Sequence, residues 1–110
     1  MGGDAVERQL EAYNAHDLMA FLACYYDYVV VEDAKGEVMM KGIGELRQMY
    51  GPLFDNHPDV EAQVVHETRV GDYVVQEELV TGMGPEPVRA VAVFHMHEEE
   101  GTIDHVRFIS

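Results

Sequence analysis

Apolar positions repeat at two different periods along this chain, and the two periods mark helices and strands in turn. Near the start, Val6, Leu10 and Tyr13 stand at i, i+4 and i+7, the stripe of an amphipathic helix. Asn14-Ala15-His16 interrupts that stripe, and Asp17 is placed to cap a second short helix carrying Leu18, Phe21 and Leu22. A third helix is expected after Gly42, where Ile43, Leu46, Met49, Tyr50, Leu53 and Phe54 trace one face. Gly51-Pro52 should kink or restart it, because proline removes a helix hydrogen bond, and His57-Pro58 should end it.

The remaining segments read as strands. Tyr25 to Asp33 carries Tyr-Tyr and Val-Val-Val, residues that suit a pleated, half-buried surface. Ala34-Lys35-Gly36-Glu37 is a turn, with a short strand from Val38 to Met40 after it. Four longer strands follow, at Val60 to Val70, Tyr73 to Met83, Val88 to His97 and Thr102 to Ile109. Gly71-Asp72 and Glu99-Glu100-Gly101 read as tight hairpin turns, and Gly84-Pro85-Glu86-Pro87 as a longer one. Helices first and an antiparallel meander after them predict an α+β domain, with the helices on one face of a curved sheet.

Length and charge narrow the picture. At 110 residues, 47% of them hydrophobic, the chain fits one domain spanning 1–110 with a single core. Its formal charge of −14 repels phosphate backbones and anionic membranes. The basic residues are scattered rather than clustered, so no nucleic-acid partner is expected. The opening residues lack the apolar run of a signal peptide, and Val6 sits where a myristoylation signal needs Ser or Thr. No stretch approaches the ~20 apolar residues of a membrane helix. Cys24 is the lone cysteine and cannot form an internal disulfide, which makes a reducing cytoplasm the expected compartment.

The order of elements, taken with certain residues, resembles a known superfamily. Tyr13-Asn14-Ala15-His16-Asp17-Leu18 lies between two helices, Cys24-Tyr25-Tyr26-Asp27 leads into a strand, and Gly42 opens the third helix. Val70-Gly71-Asp72-Tyr73-Val74-Val75 and Glu100-Gly101-Thr102-Ile103 fit the turns of the sheet. Together they resemble the nuclear transport factor 2-like superfamily, which includes ketosteroid isomerases and SnoaL-like polyketide cyclases. The resemblance implies a cone-shaped, cystatin-like roll, with three N-terminal helices packed on a curved, mostly antiparallel sheet. It also implies a pocket at one end of the cone and a homodimer formed through the outer sheet face. Fold alone does not settle function in such a superfamily, so the site has to be argued from residues.

Asp33 is the first candidate. Val30-Val31-Glu32-Asp33-Ala34-Lys35-Gly36 resembles the isomerase segment that holds the catalytic base, and Asp33 falls on the base's position. A carboxylate at a pocket mouth can move a proton next to a carbonyl, because partial desolvation lifts its pKa. Equally, a strand-end acid before Gly36 can serve as an acceptor for turn amides. Ketosteroid isomerases stabilise the enolate with a tyrosine and a protonated aspartic acid. Here Val93 stands at the acid's position and Gln9 at the tyrosine's, which argues against true ketosteroid isomerase activity. Tyr13, one helical turn after Gln9, is the available substitute.

Further candidates depend on strand phase. Alternation places Val91, Val93, His95 and His97 on one face, and the resemblance makes that face the pocket lining. His66 shares a face with Val64 and Ala62 and is a second histidine that could point inward. Either histidine could act as an acid or base near neutral pH. A His-x-His pair raises the question of a metal, although strand neighbours two apart arise readily by chance, and no metal or cofactor is expected. One of Glu77 and Glu78 must face opposite to the other, and Glu78 would give the pocket a carboxylate. Phe54, from the third helix, is expected in the apolar lining. Tyr26, Tyr28 and Tyr73 are better read as packing residues.

Two functions follow from these residues. One is a small-molecule-binding domain whose apolar pocket supports proton transfer on a small carbonyl compound, with Asp33, His95 and Tyr13 catalytic and His66, Glu78, Val93 and Phe54 binding. The other is a non-catalytic ligand-binding or accessory domain.

Overall fold

A computed structural model describes residues 3–110. Helix α1 spans Ala5–Ala15 and α2 spans Leu18–Leu22; strands β1 and β2 span Tyr25–Glu32 and Val38–Lys41. Helix α3 covers Gly42–Asn56, and β3 to β6 cover Glu61–Val70, Tyr73–Thr81, Val88–Met96 and Ile103–Ile109. Each expected element is present, with ends differing by a residue or two. The exception is α3, which runs through Pro52 as one helix. Proline there removes one helix hydrogen bond without ending the helix, which runs on to Asn56.

Local chemistry explains the helix ends. Asp4 and Glu7 form a reciprocal capping box at the start of α1, with Glu7 N–H donating to Asp4 Oδ1 at 3.0 Å. His16 closes α1 in the left-handed region at φ 56°, which turns the chain into α2. Asp17 then accepts the Ala20 amide at 3.1 Å. The Asn14-Ala15-His16 break also fastens the helices to the sheet. Asn14 exchanges two hydrogen bonds with the backbone of Ala62, at 3.0 and 2.8 Å, and His16 Nε2 lies 2.8 Å from the Val60 carbonyl.

The six strands form one sheet in the order β2-β1-β6-β5-β4-β3. All neighbours are antiparallel except β1 and β6, which run parallel. The helices cover one face, where Phe21, Leu46, Val29, Phe94, Ile103 and Val106 make the centre of the core. The architecture is the expected α+β roll. The other face carries Tyr28, 77% exposed, and the half-exposed Tyr73.

Strand phase departs from expectation in β5 and β3. In β5, Phe94 (2% exposed) and Ala92 turn into the core, so Val93 and His95 turn outward. Both phases of this strand carry apolar residues, and burying the Phe94 ring outweighs burying Val93. In β3 a bulge between Val64 and His66 moves the register by one, so Val64 pairs with Glu78 but His66 pairs with Glu77 on the opposite face.

Candidate functional site

Between the helices and the covered face of the sheet lies a cavity of about 240 Å³. Helix α1 supplies Gln9 and Leu10 and, one turn later, Tyr13. Phe21, Tyr25 and Tyr50 come from α2, β1 and α3. Strand β4 contributes Glu78 and Val80, and Phe94 and Phe108 come from β5 and β6. Met83, Val88 and Ser110 are exposed cavity-lining residues and form its rim. The wall is mostly aromatic and aliphatic, with a few convergent polar groups, as small-molecule sites generally are.

Glu78 is the ionisable group that stands out. It is 8% exposed, and its carboxyl has no hydrogen-bond partner among the described residues. Desolvation penalises the charged form, and its pKa is pushed up to about 7. Protonated and ionised forms therefore coexist near neutrality, as a group that both takes and returns protons requires. Three phenols share the cavity. Burial first, and then the charge of Glu78, pushes the Tyr13 pKa up to about 12. Burial likewise raises Tyr25 and Tyr50, with Glu78 a further contributor in each. All three stay neutral donors wherever Glu78 titrates. The Tyr25 hydroxyl donates to Gln9 Oε1 at 3.2 Å.

Of the residues proposed from sequence as catalytic or binding, Tyr13 and Glu78 line this cavity, and Asp33, His95, His66, Val93 and Phe54 do not. Asp33 lies in the turn after β1, where Oδ1 accepts the amides of Lys35 at 2.9 Å and Glu37 at 3.0 Å. It faces a separate cleft that shares only Phe108 and Ser110 with the cavity rim. The turn-acid reading of Asp33 is the one its geometry fits, and a catalytic role inside the cavity is not. His95 is on the outer face, with Nδ1 2.6 Å from Asp104 Oδ1 and its ring 4.7 Å from Tyr73. Val93 is on that face too, across from Val75 and Arg107. His66 is exposed, carried outward by the β3 bulge. Phe54 is buried but sits behind the lining, its ring 5.4 Å from Tyr13 and 5.9 Å from Phe21. Among the described residues no group of three His, Cys, Asp or Glu side chains is arranged to hold a metal.

Gln9, Tyr25 and Tyr50 are the site residues that sequence reasoning passed over. In the sequence Gln9 reads only as a residue at the isomerase tyrosine's position, although its place one turn before Tyr13 puts both on the same face. Tyr25 and Tyr50 carry no local signal that separates a pocket tyrosine from a packing one.

No curated protein matches the chain at a significant level. A solved, uncharacterised cystatin-fold protein from Novosphingobium aromaticivorans is 26% identical, with a TM-score of 0.85 over 96% of this chain and 95% of that one. A Sinorhizobium meliloti protein provisionally assigned as a polyketide cyclase is 21% identical, with a TM-score of 0.80 over 94% and 92% of the two chains. A provisional ketosteroid isomerase from Kribbella flavida is 16% identical, with a TM-score of 0.79 over 96% of this chain and 73% of that one. These two share the fold. The profile of the SnoaL-like domain matches residues 6–106. With nearly its whole length matched, the chain belongs to the SnoaL-like domain family.

Proposed function

We propose that the cavity binds a small, largely apolar carbonyl compound and that Glu78 transfers a proton within it. The observation that carries this reading is a buried carboxyl, without a protein partner, facing an apolar cavity beside neutral phenols and a carboxamide. The Glu78 carboxylate removes a proton from the carbon next to the carbonyl. The C–H bonding pair becomes the enolate double bond, and the carbonyl π pair moves onto oxygen, where a neutral donor stabilises it. The resulting carboxylic acid returns the proton to the same carbon or to a conjugated one, and the second outcome is an isomerisation. The family's SnoaL-like assignment, and the cyclase and isomerase descriptions of its structural neighbours, support chemistry of this class.

The test follows deuterium uptake at the α-carbons of β-tetralone in heavy water, by mass spectrometry, with wild type and Glu78→Gln. Wild type is expected to accelerate uptake, and the variant to lose about a hundredfold or more of that acceleration while retaining ligand. Equal rates in the two proteins remove Glu78 from the chemistry. Binding by wild type with no acceleration assigns the cavity to a non-catalytic ligand-binding domain.

A further inference from the structure

The polar groups of the cavity differ in how they are held, and that difference bears on which ligand fits and which way round it sits. Gln9 and Tyr25 come from α1 and β1, and both are buried, at 6% and 7% exposure. The Tyr25 hydroxyl donates to Gln9 Oε1, which fixes the carboxamide: its oxygen is occupied, and its nitrogen keeps two N–H donors. That nitrogen has no partner among the described residues. The fully enclosed, unpartnered side-chain polar atoms among those residues are Gln76 Oε1 and Thr102 Oγ1. The Gln9 nitrogen is thus not walled off, and it opens onto the cavity that Gln9 lines. A donor that faces the cavity and has no protein acceptor is free to take a ligand oxygen.

Charge and size restrict the ligand further. No Lys or Arg lines the cavity among the described residues, and Glu78 supplies negative charge there, so an anionic ligand would enter uncompensated. An apolar cavity of about 150 Å³ holds one benzene, and on that scale the 240 Å³ here holds about ten non-hydrogen atoms. A four-ring steroid has about twice that number and would protrude through the rim.

We propose that Gln9 is the oxygen-binding donor of this cavity, oriented by Tyr25, and that it selects a neutral one- or two-ring carbonyl compound of about ten non-hydrogen atoms. This deepens the proposed function and rests on the cavity being a ligand site. Gln9 touches the ligand oxygen; Tyr25 acts through Gln9 as a positioning residue.

The experiment compares β-tetralone with tetralin, the hydrocarbon of the same shape without the oxygen, by calorimetric titration of wild type, Gln9→Leu and Tyr25→Phe. Wild type is expected to bind the ketone about tenfold more tightly than the hydrocarbon. Gln9→Leu should lose that preference with tetralin affinity unchanged, and Tyr25→Phe should reduce it to about threefold, since its carboxamide is no longer held. The infrared carbonyl stretch of bound β-tetralone should be lowered in wild type and return toward its free position in Gln9→Leu. Circular dichroism serves as the check that each variant is folded. A preference that survives Gln9→Leu, or an equal loss of both ligands in a folded variant, overturns the assignment while leaving the cavity as a ligand site. Progesterone binding more tightly than β-tetralone overturns the size limit. If no probe binds wild type, the cavity is not a ligand site, and the underlying reading fails with this one.

Discussion

Replacing Glu78 with glutamine keeps the shape of the side chain and removes its titration, so stability measured against pH isolates the cost of a buried charge. The ordinary glutamate pKa is 4.5, and burial pushes that of Glu78 up to about 7. The folded protein therefore holds the Glu78 proton more tightly than the unfolded chain does. The sign follows from linkage: the Glu78 contribution to stability is greatest below pH 4.5, falls as pH rises between 4.5 and 7, and levels off above 7. Across that interval, at about 1.4 kcal/mol per pH unit, the loss amounts to about 3 kcal/mol. Tyr13, Tyr25 and Tyr50 stay neutral throughout, so the phenols around Glu78 add no titration of their own. Urea unfolding followed by circular dichroism at several pH values between 4 and 8 measures the difference between the two proteins. Glu78→Gln should match wild type near pH 4 and exceed it by about 3 kcal/mol at pH 8. Other carboxylates titrate alike in both proteins and cancel. A difference that stays flat across this range would refute the reasoning, because it would mean that Glu78 ionises in the fold as it does in water.

Two further expectations concern residues outside the cavity. Asp33→Ala should cost about 1 kcal/mol of stability through the turn amides of Lys35 and Glu37, and leave deuterium uptake by β-tetralone unchanged. A collapse of that uptake would return Asp33 to the mechanism. The expected pairing of two copies through the outer sheet face is checked by light scattering, which should give twice the mass of the chain and a single chain's mass for Tyr28→Glu, a change at an exposed tyrosine of that face. A monomeric wild type refutes the pairing.

Much of the architecture could be read directly from residues. The Val6, Leu10 and Tyr13 stripe, the Asp17 cap and the turn glycines each report a local backbone preference, and local preferences add up to an element order. The Asn14-Ala15-His16 break was legible as an interruption. Its second use, clipping α1 to Val60 and Ala62, joins positions more than forty residues apart and leaves no local trace. Glu78 was half legible: the pair Glu77-Glu78 had to send one acid inward, and alternation could not say which.

The α+β element order, the turns, and a carboxylate on one face of β4 are all written in local residue patterns. Which acids, tyrosines and histidines meet in one cavity is set by packing in three dimensions. Strand phase has two values, and β5 carries apolar residues in both, so the choice fell to the burial of Phe94, which turned Val93 and His95 to the outer face. In β3 a single extra residue at the bulge did the same to His66. The site itself is assembled from Gln9, Tyr25 and Glu78, which lie on α1, β1 and β4. Their meeting is a product of packing between distant segments, which no local pattern encodes.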